Sequence, residues 1–195
     1  MIRLFNAGSL VLTLFLAGCG IRENIRPGST LEVDNESAVL VMGLSPNYRF
    51  HLIRGPIKDN VWERPVVDVP EVNLFPNNGY LIVKLKPTAA TESFSFSLIF
   101  PEKGRPYGPC QDSTAPTFDL KGGAVNYVGD LRYTFDGSSL RYEYSLDETK
   151  ARTFLNTNYP GYVDSLQVKP IKLMKVKSNI CDQRTITVPI FIPRR

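Results

Sequence analysis

Few side chains in this sequence are of a type and spacing that suits chemistry. His51 is the only histidine. It alternates with Phe50 and Leu52 in the run Tyr-Arg-Phe-His-Leu-Ile-Arg-Gly, so it reads as a buried or sheet-edge ring. One imidazole alone builds neither a triad nor a histidine-rich metal site. Asp147 and Glu148 are adjacent acids, a placement that suits the first turn of a helix, where the dipole favours negative charge. A two-carboxylate glycosidase needs acids that meet across a cleft, and no spacing here marks such a pair. The expectation is therefore no catalytic residue, no metal ligand and no cofactor, and a protein that binds rather than catalyses.

The binding candidates lie in residues 56–79, a stretch with four prolines. It holds Trp62, the only tryptophan, together with Arg64 and Phe75. Loops present binding residues, and aromatic side chains and arginine dominate binding hot spots. The alternative for Trp62 is that it folds back to cap a core edge. Lys169, Lys172, Lys175 and Lys177 are placed either to meet anionic polymers or to blunt an exposed sheet edge. The net charge is +4, and Arg3 of the leading segment accounts for one of those charges. That is too weak and dispersed for nucleic-acid binding.

The elements that must position these residues read as strands. Residues 37–44 are apolar on both faces and look central. Residues 48–55, 80–86 and 93–100 follow, the last with Phe94, Phe96, Leu98 and Phe100 on one face. Residues 56–79 read mostly as loop, with a short edge strand near Val66–Val69. The clearest signal is a hairpin. Val125, Tyr127, Leu131, Tyr133 and Phe135 share a face, Asp136-Gly137 turns, and Leu140, Tyr142 and Tyr144 return. That aromatic face reads as the core side of a sheet, with a sugar-stacking platform as the alternative. Gly129 interrupts it and marks a bulge or a close backbone approach. Ser145 and Glu148 fit a capping box for one short helix. Residues 172–177 and 184–192 close the series. The pattern predicts an all-β domain, an immunoglobulin-like or transthyretin-like antiparallel β-sandwich with one short helix.

The N-terminus carries an address. Arg3 is followed by the apolar run Leu10–Ala17, too short for a permanent membrane span, and then by small residues. Leu16-Ala17-Gly18-Cys19 resembles the lipobox of bacterial lipoproteins. The resemblance implies that the Cys19 thiol carries a diacylglycerol, that a peptidase cuts before Cys19, and that the new amino group is open to acylation. Gly20 rather than aspartate at the next position implies the outer membrane if the cell is Gram-negative. The division expected is a signal peptide over 1–18, a flexible tether over 19–36 and a β-sandwich over 37–195.

With Cys19 used, Cys110 and Cys181 remain. An exported chain meets an oxidising compartment, where an isolated pair forms a disulfide; a reactive thiol is the alternative. The bridge would close about seventy residues and contribute roughly 4 kcal/mol in the chain-entropy model. The segment Phe-Asp-Leu-Lys-Gly-Gly-Ala-Val-Asn-Tyr-Val-Gly-Asp-Leu, with the helix and Asn-Tyr-Pro-Gly-Tyr after it, resembles a pattern in small uncharacterised bacterial β-sandwich lipoproteins. Gly123, Tyr127, Val128 and Gly129 carry the match. The reading expected is a lipid-anchored lipoprotein on the periplasmic face of the outer membrane, held by its N-terminal lipid and partnered by an envelope protein or polymer. A surface-exposed adhesin or ligand-binding lipoprotein is the alternative, and an envelope hydrolase a distant third.

Overall fold

A computed structural model describes residues 23–67, 69–102, 105–135 and 140–180. Cys19 and Cys181, the Asp136-Gly137 turn and the strand expected over 184–192 lie outside them. The described residues form β1 (Ala38–Ser45), β2 (Arg49–Lys58), β3 (Val61–Glu63), β4 (Val72–Leu74), β5 (Tyr80–Leu85), β6 (Glu92–Phe100), β7 (Thr114–Phe118), β8 (Val125–Phe135), β9 (Leu140–Ser145), α1 (Glu148–Asn158), β10 (Leu166–Val168) and β11 (Lys172–Lys177). All-β with one short helix is thus the architecture.

Two sheets build it. In the first, β1 lies between β5 and β8, and β8 pairs with β10 along its first half and with β9 along its second. In the second the order is β3-β11-β7-β6-β2-β4, and β3 also pairs with β2. That last pairing closes β2, β6, β7, β11 and β3 into a ring. Two features depart from the antiparallel sandwich expected: the ring itself, and the parallel pairings β1–β8, β8–β10 and β3–β11.

The main core lies between the sheets. Leu40 and Met42 of β1, Leu81 and Val83 of β5 and Leu131 and Tyr133 of β8 meet Phe50, Leu52, Phe94, Phe96 and Phe118 of the second sheet. Both faces of β1 are buried, as its apolar composition requires. Val39 and Val41 point the other way, under α1, where they join Ile82, Tyr127, Ala151 and Leu155. The aromatic hairpin face is core: Tyr133 and Tyr142 are direct cross-strand partners and both are buried.

Gly129 is where that face changes sides. Val41 pairs with Tyr127, yet Gly43 pairs with Asp130, so β8 carries one extra residue against β1. Such a bulge reverses the alternation. Val125 and Tyr127 therefore lie under the helix, while Leu131 and Tyr133 enter the main core, and the single face expected over 125–135 is in fact two. Gly129 has φ +111, and a Cβ there would come within 2.2 Å of the Tyr144 ring. Both the bulge and the close approach are present.

The helix begins later than the capping box suggests. Ser145 closes β9 opposite Asp130, so its backbone belongs to the ladder. The cap passes to Asp147, whose Oδ1 accepts from the Lys150 N–H at 2.9 Å. Of the edge strand expected near Val66–Val69, the described residues Val66, Val67 and Val69 belong to no strand, and β3 and β4 form on either side of them. The segment expected as a loose tether is fastened along the domain over residues 24–33. Ile25 donates its N–H to Ile82 O at 2.7 Å, Tyr159 donates its hydroxyl to Ile25 O at 2.8 Å, and Ile25, Leu31 and Val33 pack on the helix-side core. Enough apolar side chains punctuate this polar stretch to hold it down.

Candidate functional site

The three binding residues expected from residues 56–79 do not come together. Trp62 sits inside the ring. It is fully buried, with Ile53, Ala115, Met174 and Val176 around it, and Ile57 packs alongside. Its indole N–H donates to Ser93 O at 3.1 Å. Gly55 makes the space: a Cβ there would lie 2.6 Å from the indole nitrogen. Ser93, Ser95 and Ser97 of β6 are buried although they face away from the main core, because small side chains let the ring close behind it. Ser95 Oγ donates to Pro116 O at 2.9 Å. Trp62 is thus the anchor of a third, small core, and its role as a loop-presented contact is corrected. Arg64 is buried too; its N–H donates to Lys177 O at 2.9 Å, fastening β3 to β11.

Nor does β11 lie at an edge. It runs between β3 and β7, with Met174 and Val176 turned inward and its lysines outward. Lys172 binds Asp119 at 2.9 Å and Lys177 binds Glu63 at 2.8 Å. The hydrogen bond from Lys177 holds the Glu63 carboxyl below its ordinary range. These lysines tie the ring from outside rather than blunt an edge. His51 stacks at a tilt on Phe100, 4.7 Å between centroids; it is half-buried on a strand that runs between β6 and β4, neither fully buried nor at a sheet edge.

Phe75 is the exception. It follows β4 directly and is 54% exposed. Leu74 pairs with Phe50 and Arg49 pairs with Phe100, so Phe75 falls level with the start of β2 and the end of β6. Asn24 donates its side-chain amide to Phe75 O at 2.8 Å and accepts from Ile82 N at 3.3 Å. The chain coming from the N-terminus therefore joins the body beside Phe75.

The bulge builds a polar site that sequence reading missed. Asp130 is buried within a groove of about 250 Å³ lined by Gly43, Ser45, Tyr80, Arg132, Ser145 and Lys150, among others. Gly43 is required opposite it, since a Cβ would lie 1.8 Å from Asp130 Oδ1. Lys150 Nζ stands 3.7 Å from Asp130 Oδ2, and its ammonium also lies 5.9 Å from the Tyr80 ring centre. Burial raises the Asp130 carboxyl above its usual range, and Lys150 only partly offsets that. Burial likewise drives the Tyr80 and Tyr127 hydroxyls far up, so both remain protonated donors. The Tyr127 hydroxyl in turn accepts from Asp147 N at 3.1 Å, tying the start of α1 to the strand below. The arrangement sets a buried carboxyl, an ammonium and the buried Tyr80 ring around one groove. A single acid inside the apolar run Tyr-Val-Gly-Asp-Leu, next to the glycine that marked the bulge, was the signal available for it.

Among the described residues, no cluster of histidine, cysteine, aspartate and glutamate is arranged to hold a metal ion. No helix there is long and apolar enough to cross a membrane. No protein family, curated protein or solved structure matches the chain.

Proposed function

We propose that this chain is a lipid-anchored lipoprotein of the cell envelope, on the periplasmic side of the outer membrane, working as a binding or structural module for an envelope protein or polymer. The observation that carries the reading is Cys19, the last residue of Leu16-Ala17-Gly18-Cys19, placed behind one short apolar run and five residues ahead of the point where the chain joins the β body. Two or more acyl chains anchor stably where one does not. The finer assignment of the body to an immunoglobulin-like or transthyretin-like sandwich rests on its two-sheet core, with the ring as an elaboration.

A disulfide between Cys110 and Cys181 belongs to the same reading. The turn after Cys110 is stitched to the chain just ahead of Cys181. Asp112 N donates to Val176 O at 2.9 Å, Val176 N donates to Ser113 O at 2.9 Å, and Ser178 N donates to Gln111 Oε1 at 2.8 Å. Peptide mapping of envelope-purified protein without reductant is expected to give one linked species, and two free thiols would refute the bridge. For the anchor, Cys19→Ser is expected to abolish incorporation of a fatty-acid label and to block maturation. Unchanged labelling of that variant would sink the proposal. Crosslinking in whole cells then identifies the partner.

A further inference from the structure

We infer that the end of the fold bearing Phe75 rests on the lipid surface, with the Phe75 ring in the interfacial layer. The inference depends on acylation of Cys19 as proposed above. Its first support is the reach of the chain. Asn24 is pinned to Phe75 O and to Ile82 N. Five residues beyond Cys19 span at most about 18 Å even when fully extended. Whatever path they take, Phe75 stays close to the residue that carries the lipid, and the end of the body around it is the end that meets the bilayer first.

The second support is what that end presents. Phe75 is more than half exposed, and Tyr48, Leu74, Phe100 and Phe135 around the same end are only half-buried. Tyr107 joins Phe135 to this group: it bridges to Ile99 and its ring lies 5.7 Å from that of Phe135. Tyrosine rings favour the boundary between lipid and water, and exposed Phe and Leu side chains seat at the headgroup–acyl boundary. The third support is charge. Neither 45–49 nor 75–79, two of the turns at this end, contains an acidic residue, and in the sequence after Phe100 the one acid, Glu102, is outnumbered by Lys103 and Arg105. Arg49 spreads its guanidinium over the Phe100 ring at 4.4 Å, which places a cation beside the apolar surface, where anionic headgroups lie. Among the described residues, the other large exposed apolar side chains are Val66, Val67 and Val69, which β4 separates from Phe75.

The test uses the full acylated chain in vesicles of phosphatidylethanolamine and phosphatidylglycerol, with or without lipids brominated high on the acyl chain. Trp62 is the only native tryptophan and is buried, so it gives a constant background. Phe75→Trp is expected to add emission that is blue-shifted and quenched roughly twofold more than wild type by the brominated lipid, as for a side chain seated in the interface. Lys58→Trp is the control. Lys58 is exposed and nine residues from Arg49 along β2, about 30 Å away by the rise of a strand, so it should match wild type. An unquenched Phe75→Trp on acylated, vesicle-bound protein overturns the inference and leaves the anchor standing; Phe75 then faces water or a protein. Quenching of both variants alike also overturns it, since the body would have no preferred end. Absence of lipid on Cys19 by mass spectrometry overturns the anchor and the inference together.

Discussion

Trp62 and Phe75 lie thirteen positions apart in one proline-rich stretch, are both large aromatics, and carry the same sequence credentials for binding. The fold treats them oppositely. Trp62 is at the centre of a three-residue strand, opposite Ile57 on one side and Val176 on the other, and the ring closes over it. Phe75 is the first residue past a three-residue strand, where the ladder ends and nothing closes. What separates them is pairing with a strand more than a hundred residues away. An aromatic side chain in a loop-rich segment becomes core or contact according to which distant strand reaches it, and neither hydrophobicity nor loop composition decides that.

Four substitutions test this contrast. The largest effect is expected from Trp62→Ala, which empties the ring; large-to-small changes at such sites cost about 3–5 kcal/mol. Thermal melting should show a drop on the order of 10 °C for a domain of this size, and a drop within error would mean the ring is not a core. Gly55→Ala comes next. It removes nothing, yet its Cβ would press on the indole, so an overpacking cost of about 1–3 kcal/mol is expected, read by denaturant unfolding. The backbone oxygen of Glu63 lies closer still, 2.4 Å from that Cβ, so a cost near zero would mean that β2 and β3 part readily at this point.

Asp130→Asn addresses the polar site built by the β8 bulge. Burial holds this carboxyl above the ordinary value of 3.8. Above that pH the folded protein keeps a proton that the unfolded chain has released, so stability falls as pH rises from there through the raised value. The amide should flatten that fall and leave the protein more stable near neutrality by about 1 kcal/mol, the scale of a poorly satisfied buried polar group. Unfolding curves of both proteins across pH 3–8 (a range of roughly that width, set by ordinary carboxylate and histidine values) give the difference directly. A variant parallel to wild type at every pH would show that Asp130 does not titrate differently on folding. Smallest of all is Phe75→Ala, expected to shift stability by less than about 0.5 kcal/mol. A loss comparable to that of Trp62→Ala would erase the contrast between the two aromatics.

Local pattern was enough for much of this fold. The β8–β9 hairpin and β1 with two buried faces are visible because period-two spacing survives in the sequence. Gly129 announced the bulge. The single face expected over β6 holds only through Phe96: β6 carries one extra residue against β2 between Phe96 and Leu98, so Ile99 enters the main core while Leu98 and Phe100 stay half-buried outside it. The ring did not show, because Ser93, Ser95 and Ser97 look like a solvent face. They are buried because small hydroxyl side chains fit a tight ring, where Ser95 donates to Pro116 O and Ser93 to the Asp119 carboxylate. Asp130 was passed over for a related reason: its burial depends on Gly43, a residue nearly ninety positions earlier whose missing side chain is what admits the carboxylate. The N-terminal segment misled through composition, since Ile25, Leu31 and Val33 follow no regular period and only tertiary contact makes them count.

That N-terminal segment also guards β5 against other chains. β5 pairs with β1 along one side only, and an open strand edge is a template for aggregation. Its outward backbone groups are spoken for in turn. Tyr80 exchanges two hydrogen bonds with Asn77, at 2.7 and 3.0 Å. Ile82 gives its N–H to Asn24 and receives that of Ile25. Next outward is Lys84, an exposed charge of the kind that discourages strand addition. A chain trimmed to begin after Ile25 would keep every strand and lose the cover of the middle position. Self-association during export or refolding, rather than unfolding, is the failure such a trimmed chain should show first.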